Sequence, residues 1–160
     1  MVYPGNQGAT NWYNPSFSPR TGLFYIPAWE NSSSMYFKTT TPPVYDVEKS
    51  YTGDFPKPGK ADDDVYSAIR AIDPQTGEKK WDYRLSAPNT EAGVLTTDGD
   101  VLFSGGRDGA FYALDARDGK LLWETNLGPS VSAGPMTYMV NGKQYVSIQT
   151  GSALFTFGLR

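Results

Sequence analysis

The sequence predicts an all-β fold, and three observations carry that expectation. First, seventeen Gly and twelve Pro among 160 residues break the chain into short runs. "TG" at 21–22 and 76–77, "DG" at 98–99, 108–109 and 118–119, and "NG" at 141–142 mark tight turns, where Gly supplies the positive φ that hairpins need. Second, the stretches between turns, at 23–28, 65–72, 80–85, 94–97, 101–105, 111–115, 121–126, 136–140, 144–150 and 154–159, are β-rich, and none sustains a 3.6-residue period over a helical length. Third, the chain repeats itself. "AIDPQTGEKKW" at 71–81 returns as "ALDARDGKLLW" at 113–123, so that Ala71, Asp73, Gly77 and Trp81 recur 42 residues later as Ala113, Asp115, Gly119 and Trp123.

A period near 42 with about four strands per repeat is the mark of a β-propeller blade rather than of a sandwich. Each eleven-residue copy then covers the third strand, its turn and the outer fourth strand. Ala71 and Ala113 let sheets approach, Asp73 and Asp115 accept backbone N–H groups in the turn, and Gly77 and Gly119 take its left-handed position. Trp81 and Trp123 are expected to lie flat between neighbouring blades. The expected first blade runs over 10–85, with a loop inserted at 30–64. A complete second blade covers 93–126, and a last blade at 132–160 has three strands and no docking Trp. The expectation is a partial β-propeller of about two and three-quarter four-stranded blades.

Composition narrows the function classes. Zero His and zero Cys remove the commonest metal ligand, the commonest general base, disulfides and thiolate chemistry. A formal net charge of −3 with 14 thinly spread Lys and Arg offers no basic stripe for phosphates, so nucleic acid is not an expected partner. No apolar run approaches the length of a membrane span, and "MVYPGNQGATNWYNP" has neither the charged nor the apolar region of a signal peptide.

The repeated pattern A-x-D-x-x-T-G-x-x-x-W resembles the tryptophan-docking motif of the pyrroloquinoline quinone (PQQ) dehydrogenases, eight-bladed propellers that oxidise alcohols. The first copy matches fully, and the second has Asp118 in place of Thr. "GATNWYNPSFSPRTGLFYIPAWE", "EAGVLTTDGDVLFSGGRDGAFYALDARDGKLLW" and "SAGPMTYMVNGKQYVSIQTG" look like the carboxy-terminal part of such enzymes, in the same order. The resemblance implies a periplasmic parent that oxidises primary alcohols to aldehydes with PQQ and a calcium or lanthanide ion, and that passes electrons to a cytochrome c-type acceptor. It also implies that the metal-ligand Glu and Asn, the catalytic Asp, the stacking Trp and a vicinal disulfide belong to earlier blades. This chain alone is therefore expected to be inactive. The alternative is a non-enzymatic propeller scaffold or interaction module that uses the same motif for packing alone.

Two segments are the cofactor-site candidates. Asn11 and Trp12 resemble the family's Asn-Trp segment that faces the quinone; an amide can bond a quinone oxygen or carboxylate, and an indole offers an apolar wall with one donor. The residues by themselves also fit a packing Trp beside a turn-capping Asn. Glu91, Ala92 and Gly93 resemble a Gly-rich segment at the cofactor's edge, with Glu91 standing where relatives often carry Trp. The resemblance places the inserted loop over the top face near the substrate entrance and so implies Trp29, Met35, Tyr36 and Phe37 as wall residues; plain anchoring of the loop by its aromatics is the equal alternative. Asp62, Asp63 and Asp64 read as a solvated acidic turn, and "SGGRDGAF" at 104–111 reads as a hairpin, since no helix follows it. The remainder of the propeller, or other copies of this chain, is expected to cover the two open ends through Val146, Ile148, Leu154, Phe155 and Phe157 at one end and first-blade residues at the other.

Overall fold

The computed structural model describes residues 1–37, 44–48, 57–58, 65–87 and 90–158. In chain order its strands are β1 (Ser16–Ser18), β2 (Leu23–Glu30), β3 (Ser34–Met35), β4 (Lys57–Pro58), β5 (Tyr66–Ile72), β6 (Lys79–Arg84), β7 (Leu95–Thr96), β8 (Val101–Gly105), β9 (Ala110–Asp115), β10 (Leu121–Asn126), β11 (Met136–Val140), β12 (Lys143–Thr150) and β13 (Ala153–Gly158). They form successive antiparallel sheets ordered β1-β2-β5-β6, β7-β8-β9-β10 and β11-β12-β13, with β3-β4 as a separate ribbon. This is the partial propeller that the turns and the repeat imply. The insertion leaves β2 at Glu30 and returns to β5 at Tyr66, residues that face each other in the ladder. The acidic run Asp62–Asp64 lies outside the described residues.

Turn chemistry explains the strand boundaries. Asp73 accepts N–H bonds from Gln75 at 2.9 Å and Thr76 at 3.4 Å, and Asp115 accepts one from Arg117 at 2.9 Å. Gly77 and Gly119 then reverse the chain, each with a φ of 75°. Asn141 and Gly142 both take positive φ, the pairing that a two-residue hairpin requires between β11 and β12.

Two apolar interfaces hold the sheets together. Tyr25, Ile69, Leu102, Tyr112 and Leu114 pack between the first and second sheets, and Phe103, Phe111, Val131, Val146 and Ile148 between the second and third. Both faces of the second sheet are therefore covered, which is why β8 and β9 are buried almost throughout rather than at alternate residues.

The two repeated tryptophans differ. The Trp81 ring packs on the second sheet, 5.7 Å from Tyr25, and its Nε1–H donates to the Ala116 carbonyl at 3.3 Å. A Cβ on Gly119 would stand 2.6 Å from Trp81 Cε3, so the glycine of the second repeat is the seat for the tryptophan of the first. Trp123 meets Phe111 and Phe157 edge-on, at 6.0 and 5.2 Å, and stays 40% exposed. Among the described residues the third sheet offers it no counterpart of the Ala116–Gly119 turn.

The open ends also differ from expectation. Val146 and Ile148 are buried against the second sheet, and Phe155 and Phe157 pack into the same cluster. Strand alternation turns these side chains inward and leaves Met136, Tyr138, Tyr145, Ser147 and Thr156 on the outward side. Of the five residues expected at this open end, Val146, Ile148, Phe155 and Phe157 thus face the second sheet, while Leu154, on the same side as Thr156, is exposed as expected.

The outward side of the first sheet carries an ion-pair cluster instead of a bare apolar surface. Arg70 donates to both Asp82 oxygens at 2.8 and 2.9 Å and to Glu30 at 2.7 Å, so it ties the insertion's point of departure to the outer strand. Arg84 lies 3.9 Å above the Tyr66 ring beside it. Burial alone would raise the Asp82 carboxyl, but hydrogen bonds from Arg70 and Lys79 outweigh it and hold the group below the ordinary carboxylate range. A depressed native pKa gives stability that is present above the unfolded value of about 3.9 and lost as pH falls through the native value. Denaturant titrations are therefore expected to show stability dropping below about pH 4, and Asp82→Asn is expected to flatten that acid limb. An acid limb of equal slope in the variant would remove this cluster from the account.

Candidate functional site

Hydrogen bonds assign the loops to two ends of the molecule. Ala116 N–H donates to Asp100 and Arg20 pairs with Asp100, which places the turns at 19–22, 97–100 and 116–119 at one end. Val131 N–H donates to Gly106 and Leu127 N–H to Gly109, which places the turn at 106–109 and the connection at 127–135 at the other. The upper end, as we call the latter, also holds the insertion's start and the segments 9–14 and 90–94, because Trp29 N–H donates to Ala9 and Trp29 Nε1–H to the Thr90 carbonyl. All five candidate cofactor residues therefore share one end. A cavity of about 430 Å³ lies at the opposite end, where Arg20 and Asp100 already neutralise each other within its lining. It is not the candidate site.

Trp12 is 74% exposed, with its ring 4.5 Å from that of Tyr13. A large apolar ring left in water at a loop surface is available to a ligand or a partner surface. Asn11 is partly committed: its Oδ1 accepts the Trp12 N–H at 2.9 Å, and its Nδ2 donates to the Gln7 carbonyl at 3.2 Å. The same amide nitrogen also reaches the Gln7 side-chain oxygen at 3.4 Å, a long bond beside the shorter one to the backbone. Asn11 caps its own turn, and in this segment the ring of Trp12 meets only Tyr13 among the aromatic contacts of the described residues.

Glu91 is held by Arg107 at 3.3 Å and Ser132 at 3.4 Å, so the acid that stands in the place of an aromatic is neutralised by its surroundings. Ala92 is fully buried in the second interface. Gly93 donates its N–H to Ala133 at 3.3 Å, and the space where its side chain would stand is filled by Asn14, whose Oδ1 lies 1.9 Å from the Cβ position. Tyr13 links the two segments. Its ring is buried between Trp12 and Trp29, and its phenol is pushed up by burial and by Glu91, with Arg107 opposing.

Of the insertion's expected wall residues, Trp29 is buried, Tyr36 and Phe37 are more than half exposed, and Met35 sits in the β3-β4 ribbon. Sequence reasoning missed Tyr13, Asn14 and Arg107. One signal was available: "AG" at 92–93 recurs at 133–134, close to the repeat period, so two glycines fall at equivalent positions just ahead of β7 and β11. Among the described residues no group of three His, Cys, Asp or Glu is placed to hold a metal ion, and no helix is long and apolar enough to cross a membrane.

Residues 84–146 match the family model described as PQQ: Glucose/ethanol/alcohol dehydrogenase, beta-propeller domain. The chain is 38% identical to a 1-butanol dehydrogenase (quinone) of Thauera butanivorans over 94% of this chain and 23% of that one. It is 35% identical to the quinohemoprotein alcohol dehydrogenase of Comamonas testosteroni over 92% of this chain and 22% of that one. The solved structure of a quinohemoprotein alcohol dehydrogenase from Pseudomonas putida superposes with a TM-score of 0.76 at 27% identity, covering 96% of this chain and 24% of that chain. The chain thus spans about a quarter of the length of the relatives it matches. By sequence over most of its length and by the fold of its sheets, it belongs to the quinoprotein alcohol dehydrogenase family, as a segment of the family's β-propeller.

Proposed function

We propose that this chain is the carboxy-terminal segment of a periplasmic PQQ-dependent alcohol dehydrogenase, and that its upper end forms one wall of the cofactor site. The observation that carries the reading is the exposed Trp12 ring at the end shared by Asn11, Glu91, Ala92 and Gly93. The chemistry supplied by the quinone, when bound, is acceptance of a hydride equivalent from a primary alcohol, which leaves as the aldehyde. Trp12 gives that site an apolar plate and keeps water from one side, and the Asn11 amide exchanges its long 3.4 Å bond to the Gln7 side chain for one to a quinone oxygen or carboxylate. Glu91, Ala92 and Gly93 form the adjoining edge, with the Glu91 charge answered by Arg107 so that it does not repel an anionic cofactor. The metal ligands and the base come from the remainder of the ring, and a cytochrome c-type protein takes the electrons. The outward faces of the first and third sheets are covered by that remainder or, in the isolated chain, by other copies of it.

The test is quinone binding by the full-length protein, read by absorbance titration of the cofactor-free form. Trp12→Ala is expected to weaken PQQ binding about tenfold, since losing a stacked aromatic costs roughly 1–2 kcal/mol. Trp123→Ala, at the second interface, is expected to leave it unchanged. Equal affinity in the wild type and the Trp12 variant would remove Trp12 from the site, and no binding by the wild type would favour the scaffold alternative.

A further inference from the structure

Asn14 is three residues beyond Asn11, and its side chain lies where the innermost strands of all three sheets converge. Its Nδ2 donates to the Val94 carbonyl at 2.9 Å, and its backbone carbonyl accepts the Val94 N–H at 2.9 Å. One residue joins two sheets by two bonds. Its amide oxygen stands 1.9 Å from the Cβ position of Gly93 and 2.3 Å from that of Gly134, so the side chain occupies the room that two glycines leave, one just ahead of β7 and one just ahead of β11. Real Cβ atoms do not approach that closely; any side chain at 93 or 134 would eject the amide. The Gly93 N–H bond to Ala133 completes the joint, and the Ser16 and Thr96 hydroxyls, 2.6 Å apart, extend it one pleat further.

The consequence reaches the upper end. Tyr13 and Trp12 immediately precede Asn14, and Glu91 lies two residues before Gly93, so the separation between the two candidate segments is set by how Asn14 is seated. We propose that Asn14 is a positioning residue of the cofactor site, an axial lock that fixes Asn11 and Trp12 against Glu91, Ala92 and Gly93. Its significance for the cofactor rests on the PQQ reading above; the lock itself does not. Gly93 and Gly134 serve it as a socket.

Hydrogen exchange by mass spectrometry on the 160-residue chain tests this without any quinone present. Asn14→Ala is expected to raise exchange about tenfold at 9–13 and 90–95, the value of roughly one lost hydrogen bond, and to leave 144–148 in the second interface unchanged. Gly93→Ala is expected to produce the same local opening in the native chain and no further opening in an Asn14→Gly chain, where the added methyl has room. That second arm keeps the test decisive if Asn14→Ala proves hard to purify. Unchanged exchange at 90–95, or a rise spread evenly through 144–148, would overturn the lock. A lock that holds in a full-length protein unable to bind PQQ would sink the proposed function and leave this inference standing.

Discussion

Trp81→Ala is expected to lower the free energy of unfolding by about 3–5 kcal/mol, whereas Trp123→Ala lowers it by roughly 1–2 kcal/mol. The two residues occupy equivalent places in the repeat, so their types alone give no reason for a difference. The structure supplies one. Trp81 has an indole acceptor in Ala116, a ring partner in Tyr25 and a glycine seat in the next blade, so its removal opens a cavity and leaves the Ala116 carbonyl to the Tyr25 hydroxyl alone. Trp123 touches Phe111 and Phe157 but remains 40% exposed, and the water that would enter its place is already near. Urea unfolding of both variants reads the difference; equal losses would mean that the second interface is as closed as the first.

Gly119→Val is expected to cost about 2–4 kcal/mol, and part of that cost is expected to vanish when Trp81 is also replaced. Two effects add in the single variant. The φ of 75° places a non-glycine residue in the left-handed region, at roughly 1–2 kcal/mol, more for a β-branched side chain. The new Cβ also meets the Trp81 ring at 2.6 Å, and the ring cannot retreat without giving up its bond to Ala116. In a Trp81→Ala background the clash is gone and the backbone penalty alone remains, so the double-mutant cycle is expected to show a coupling of about 1–2 kcal/mol. A coupling of zero would separate the two residues. Gly77, with the same φ and nothing near its Cβ position, is the control that isolates the backbone term.

The repeat made the fold legible. Its eleven residues fixed the third strand, the turn and the outer strand in two blades, because an Asx turn and a left-handed glycine each demand particular residue types. Side-chain direction in the third sheet was less legible: Val146, Ile148, Phe155 and Phe157 alternate as an apolar face should, but alternation alone does not say which neighbour that face meets. The ion-pair cluster at Arg70 was invisible for a related reason. Glu30, Arg70 and Asp82 are spread over three strands, and only the ladder register brings them together. At the site, the motif pointed to Asn11 and Trp12, but not to the joint at Asn14, which is a contact between an ordinary amide and two glycines distant in sequence. Glu91 looked anomalous only until Arg107 was found beside it.

Alcohol-dependent dye reduction with added PQQ and calcium tests the central claim most directly, measured on the isolated 160-residue chain and on the full-length protein that contains it. The isolated chain is expected to give no rate above a protein-free control, since a cofactor wall without the rest of the ring neither positions the alcohol nor activates it. The full-length protein is expected to turn over, and to lose most of that rate in Trp12→Ala. Turnover by the isolated chain, or a full-length protein that never reduces the dye with any primary alcohol, would contradict the account.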